Sequence, residues 1–108
     1  DIALFLEKLY KEQLANEENT KKMLELLKKQ QLNDGLPKYL PEGTIMAHKT
    51  GEIDNFSHDV GIVFTPKGDY IIVVMSESDS PLGAEDRIAL ISKAVFEYFQ
   101  KEVIKSEK

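Results

Sequence analysis

The chain of 108 residues contains no cysteine, which excludes disulfides, thiolate metal sites and a cysteine nucleophile. It also lacks a basic surplus: 14 lysines and arginines face 19 aspartates and glutamates, for a net charge of −5. Binding to nucleic acid through counterion release needs a concentrated basic face, so no nucleic-acid partner is expected. No apolar run reaches the length of a membrane span; the longest, residues 70–75, is the size of a strand. There is no internal repeat and no low-complexity segment. A composition 42% hydrophobic and 31% charged is that of one globular domain. The chain opens at Asp1 without Met or signal peptide, and Ile2 already falls in a helical pattern, which reads as a processed or partial chain.

What is present begins with two helical patterns within residues 2–31. Ile2, Phe5, Leu6, Leu9 and Tyr10 recur at helical spacing, opposite Glu7, Lys8, Lys11 and Glu12. After a break near Leu14-Ala15-Asn16, Asn16 is suited to cap a second helix, with Glu17 and Glu18 in its first turn. That helix turns Thr20, Met23, Leu24 and Leu27 inward and a run of lysines outward, a solvated face. Asn33-Asp34-Gly35 ends the helical part, and Pro37 and Pro41 make residues 36–43 an irregular connection.

The period then changes to that of a sheet spanning 44–76, with strands over 44–50, 58–65 and 70–76. Thr65-Pro66-Lys67-Gly68-Asp69 is the turn of an antiparallel hairpin, and Gly61 leaves room for a close neighbour. The third strand is apolar throughout, which implies cover on both faces. Asp79 or Ser80 is placed to cap a long terminal helix over 83–104, whose inner face is Ala84, Ile88, Ile91, Val95, Phe99 and Val103. Phe96, Tyr98 and Phe99 read as core, and residues 105–108 as a polar tail. Helix, helix, three strands and a long helix give the α+β class: an antiparallel sheet with flanking helices.

The stretch Thr44-Ile45-Met46-Ala47-His48-Lys49-Thr50-Gly51 carries the chemistry. A lysine, a hydroxyl and a glycine at a strand end form one wall of an anion-binding cleft: positive charge, a short donor, and a backbone that a ligand approaches closely. Strand parity sets Lys49 and Thr50 on opposite faces, so both serve one pocket only if the strand lies at the edge of a cleft. His48 reads as a packed or hydrogen-bonded strand residue, and Asp59 as a hydrogen-bonding residue within the sheet. His48, Asp54, His58 and Asp59 lack a recognised ligand spacing, so no metal is expected.

Leu40-Pro41-Glu42-Gly43 leading into His48-Lys49-Thr50-Gly51, then Ser57-His58-Asp59-Val60-Gly61-Ile62-Val63, a hairpin, an apolar strand and a long helix, resembles the C-terminal part of class A β-lactamases. Lys-Thr-Gly belongs with Ser-x-x-Lys and Ser-Asp-Asn to the signature set of those enzymes and of penicillin-binding proteins. The resemblance covers nearly the whole chain but less than half of such an enzyme. No Ser or Thr here is followed three residues later by Lys, and there is no Ser-Asp-Asn and no Glu-x-x-Leu-Asn. The nucleophile and its base are absent from these residues, so this chain alone is expected to be inactive.

The resemblance implies that Lys49 and Thr50 hold the carboxylate of a β-lactam or a peptide C-terminus, with Gly51 letting the substrate lie along the strand. The backbone N–H of Glu52 becomes one oxyanion-hole donor, a contribution of roughly 3–4 kcal/mol to the transition state. Two positions depart from the family pattern. Glu52 stands where a small or hydroxylated residue is frequent, and no arginine follows the triplet before Arg87. The implied function is part of a serine hydrolase that opens β-lactam amides through an acyl-serine, with no cofactor and an extracytoplasmic location. A D,D-peptidase using the same cleft, and a non-catalytic domain with an incidental Lys-Thr-Gly, are the alternatives. The expected partners are the substrate and the missing N-terminal portion of the same protein; without the latter, an exposed apolar patch and self-association are expected.

Overall fold

The computed structural model describes residues 2–106, with side chains apart from Pro81 and residues 102–106. The order is α1 (Ile2–Tyr10), α2 (Glu17–Lys28), β1 (Ile45–Ile53), β2 (Phe56–Phe64), β3 (Tyr70–Glu77) and α3 (Pro81–Ser106). Among the described residues, the strands form one antiparallel sheet in the order β1-β2-β3, so β1 and β3 are its edges. This is the expected class and element order.

Local chemistry explains the ends of the elements. Asn16 caps α2, its side chain accepting from the Asn19 N–H at 2.8 Å. Pro41 to Thr44 closes a turn ahead of β1, with Gly43 at φ 87°. Between β2 and β3 the Thr65 carbonyl accepts from the Gly68 N–H at 3.1 Å, and Gly68 takes φ 135°. Ser80 caps α3, its hydroxyl accepting from the Gly83 N–H at 3.2 Å. The helix therefore starts at Pro81, suited to a first helical position, and not at residue 83 as expected. It runs to Ser106, into the expected tail; Glu107 and Lys108 lie outside the described residues.

Register assigns the faces. Met46, Val63 and Tyr70 are cross-strand neighbours, as are His48, Gly61 and Ile72, and Thr50, Asp59 and Val74. This face meets α3, where Leu36, Met46, Val63, Tyr70, Ile72 and Ile88 form the core. At 2.8 Å from both the Ala47 carbonyl oxygen and His48 Cβ, there is no room for a side chain on Gly61, the close neighbour that the sequence anticipated. The opposite face buries Ala47 and Ile62 and meets α1 and α2. Tyr10 packs near Phe64 and donates to Asp69 at 2.7 Å, while the Lys28 ammonium lies 4.4 Å from the Phe64 ring centre.

Three expectations need correction. Residues 52–57 are not a loose connection: β1 and β2 run into a two-residue turn at Asp54-Asn55, with Asp54 at φ 52°. The inner face of α3 keeps the expected Ala84, Ile88 and Val95 but takes in Ala89 and Ser92 in place of Ile91. Ala84, Ile88, Ala89 and Ser92 are buried, whereas Ile91, Leu90 and Tyr98 are about half exposed, because small residues let the helix lie close to the sheet. Phe99 is also partly exposed but stacks on Tyr70 at 4.6 Å, and the Val103 side chain lies outside those described. Finally, β3 is not covered on both faces along its length. The end of the α1 and α2 face that carries Ile53, Phe56 and Met75 is open, with Met75 62% exposed.

Candidate functional site

The wall anticipated from the sequence lies on an edge strand. In β1, Met46, Ala47 and His48 are buried and Lys49 is exposed, so the strand is anchored by its first half and presents its second. The direction of the backbone follows from one hydrogen bond. Ser78 N–H donates to the Asn55 carbonyl at 2.7 Å, so Asn55, Ser57 and Asp59 bond toward β3. The alternate residues Phe56, His58 and Val60 bond toward β1, which leaves the N–H groups of Thr50 and Glu52 pointing to the free edge. The Lys49 ammonium donates to the Thr50 carbonyl, which places it at that same edge. Among the described residues, no carboxylate lies within ion-pair distance of it.

A cleft of about 460 Å³ wraps this edge. Lys49, Thr50, Gly51 and Glu52 all line it, so residues on both faces of β1 reach one space. The remaining lining comes from Asp34 and Gly35 of the connection, from Ser57, His58 and Asp59 of β2, and from Glu85 in the first turns of α3. Leu32 closes one side.

Behind the wall is a buried polar cluster. His48 Nδ1 lies 2.9 Å from Asp59 Oδ1, and the two side chains are 2% and 1% exposed. The second Asp59 oxygen accepts from the Leu36 N–H at 2.9 Å. His48 Nε2 lies 3.1 Å from Asn33 Oδ1. Both roles read from the sequence hold: His48 is a packed, hydrogen-bonded strand residue, and Asp59 bonds within the sheet. Among the described residues, no group of three or more His, Asp or Glu side chains gathers there, and the carboxylate is occupied by the imidazole and a backbone amide.

The cleft also carries negative charge. Glu85 is pushed up to about 7, first by its hydrogen bond with the Glu52 carboxyl, then by burial and by the charges of Glu52 and Asp34. Glu52 and Glu85 both line the cleft, so two carboxyl groups share it. Nearby, Tyr39 donates its hydroxyl to Asp86 and Lys38 lies 3.5 Å from the same carboxylate, which holds Asp86 below its ordinary value and ties α3 to the connection. Asp34 and Glu85 were not singled out in the sequence. Asp34 read as part of the Asn33-Asp34-Gly35 stretch that ends the helical part, and only the tertiary arrangement brings it and Glu85 to β1.

The family model described as the beta-lactamase enzyme family matches residues 1–99. The chain belongs to the beta-lactamase enzyme family. Among solved structures, a beta-lactamase from Sphaerobacter thermophilus superposes with a TM-score of 0.83 at 29% identity, covering 91% of this chain and 38% of that one. PBP-A gives 0.85 at 26% identity, covering 92% and 38%. The TLA-1 extended-spectrum beta-lactamase gives 0.79 at 29%, covering 89% and 39%. A comparison with curated protein sequences returned no match. The chain thus spans well under half the length of its beta-lactamase relatives, and within that span it keeps their fold.

Proposed function

We propose that this chain is the C-terminal portion of a serine hydrolase that opens β-lactam amides, and that it supplies the wall that binds the substrate carboxylate. In such a reaction a serine oxygen forms an ester as the amide C–N bond breaks and the nitrogen takes up a proton; water then releases the acid. The serine belongs to the portion of the protein outside this chain. Lys49 and Thr50 receive the carboxylate, Gly51 lets it lie along the strand, and the Glu52 N–H is one oxyanion donor. The observation that carries this reading is the edge position of β1: Lys49 and Thr50, on opposite faces, reach one cleft into which the free-edge N–H groups also point.

The open sheet end at Ile53, Phe56 and Met75 is where the remaining portion would pack, and its absence would leave an apolar patch prone to self-association. The same family reading sets the whole protein outside the cytoplasm. A second reading, a D,D-peptidase or penicillin-binding protein, is favoured by the likeness to PBP-A, a variant of which is described as an acyl-enzyme complex with penicillin G. The full-length protein discriminates. Rapid turnover of nitrocefin supports the hydrolase, stable labelling by a tagged penicillin without turnover supports the second reading, and neither response refutes both.

A further inference from the structure

The cluster behind the wall joins three segments distant in sequence. Asp59 stands on β2, His48 on β1 beside Lys49, and Asn33 to Leu36 on the connection. One carboxylate accepts from β1 and from the connection at once, at 2.9 Å each, while the imidazole spans from that carboxylate to Asn33. The packing admits no slack, because a Cβ on Gly35 would stand 2.6 Å from Asp59 Oδ2. The connection therefore sits against the β1 edge at a distance set by these groups, with Asp34 and Gly35 lining the cleft on the side facing Lys49 and Thr50. A second hollow is lined by Asn33 and His48, so residues of the same contact border both spaces.

We propose that His48 and Asp59 are positioning residues for the Lys49 to Glu52 wall: together they fix the connection at 33–36 against the edge of β1, and so set the width of the cleft that receives the carboxylate. Neither touches the substrate. The edge of a sheet has no neighbouring strand to hold what faces it, and a buried bidentate carboxylate replaces that neighbour with two short hydrogen bonds. This role rests on the carboxylate-binding reading of the wall, but the geometry it asserts is measurable without any substrate.

The test uses the full-length protein and the variants Asp59→Asn and His48→Asn. Asp59→Asn replaces an acceptor facing the Leu36 N–H or the His48 ring by a donor. His48→Asn keeps a donor toward Asp59 and loses the reach to Asn33. Amide hydrogen exchange is read first. In Asp59→Asn, exchange at Leu36 is expected to rise by about 10-fold or more while the α3 amides keep their protection, since local opening is separable from global unfolding. His48→Asn should retain most of the protection at Leu36. The second readout is the split of constants for an anionic β-lactam. KM is expected to rise by about 10-fold in Asp59→Asn with a much smaller change in kcat, the mark of lost ground-state positioning.

Ile88→Val, which thins the core without touching the cluster, is the control for general destabilisation. Unchanged exchange at Leu36 in Asp59→Asn overturns the proposal, as does a KM shift in Ile88→Val equal to that in Asp59→Asn. If Asp59→Asn fails to fold, His48→Asn carries the test through KM: a rise with little change in kcat is expected once the reach to Asn33 is lost, and an unchanged KM overturns the proposal. Inactivity of the unsubstituted protein strikes the enzymatic reading alone, because the exchange measurement stands without turnover.

Discussion

Replacing Gly35 by alanine tests the tightness of the cleft more directly than any change to the wall. Gly35 is not among the glycines with positive φ, so the cost of a side chain there is steric and not conformational. The new Cβ would lie 2.6 Å from Asp59 Oδ2 and 3.4 Å from its Cγ. Asp59 has nowhere to retreat, being 1% exposed with its oxygens committed to His48 and to the Leu36 N–H. Overpacking costs about 1–3 kcal/mol, and a buried amide stripped of its acceptor about 1–3 kcal/mol more. Against this, alanine restricts the unfolded chain and returns about 0.4–1 kcal/mol. The net expectation is a loss of about 1–5 kcal/mol, read as a lower denaturation midpoint at constant m-value in the full-length protein. A double-mutant cycle isolates the cause. With Asp59→Ala in place the clash is gone, and Gly35→Ala should then cost about 0.5 kcal/mol or less, a coupling of at least about 0.5 kcal/mol. An equal cost in both backgrounds would refute the steric argument.

Glu85 holds its proton up to about 7, against an ordinary value of 4.5, so folded stability falls as pH rises between those values. The same ionisation adds a negative charge to the cleft, so affinity for an anionic ligand should drop between about pH 6 and pH 8; Glu85→Gln should flatten both dependences in a titration of binding and of melting temperature. Ser80→Ala removes the cap of α3 and should cost about 1 kcal/mol in thermal unfolding. The Tyr70 hydroxyl is buried without a hydrogen-bond partner among the described residues, and burial pushes it up to about 12. Tyr70→Phe should keep the stack on Phe99 and gain up to about 1 kcal/mol. It should also remove the Tyr70 share of the loss of stability that begins near pH 10, where the unfolded phenol ionises.

Features written in neighbouring residues were legible in the sequence. Asn16, Ser80 and the Pro66-Lys67-Gly68 turn each act within four residues of themselves, and they sit where they were expected. The hairpin at Asp54-Asn55 was not legible because it lacks glycine, and because strand residues that face a cleft are as polar as a loop. The inner face of α3 was misjudged in part for a related reason: periodicity weights large apolar residues such as Ile91, while contact with the sheet also selects Ala89 and Ser92. In the cleft, Lys49 to Glu52 are contiguous and could be read together. Asp34 and Glu85 lie on either side of the sheet in sequence and reach the site only through the cluster at Asp59 and the ties of Lys38 and Tyr39 to Asp86.

The change from burial to exposure inside β1 falls between His48 and Lys49, and it divides the strand into two regions under different selection. Up to His48, replacement disturbs the core and meets the narrow stability margin on which a folded protein rests. From Lys49 onward, side chains are largely solvated, and exchange there shifts folding free energy by only about 0.5 kcal/mol or less. Mutations at Gly51 and Glu52 can therefore accumulate without compensation in the fold. The register, held by the buried half, keeps each new side chain aimed at the same cleft. A strand built this way lets the lining of that cleft drift while the fold stays fixed.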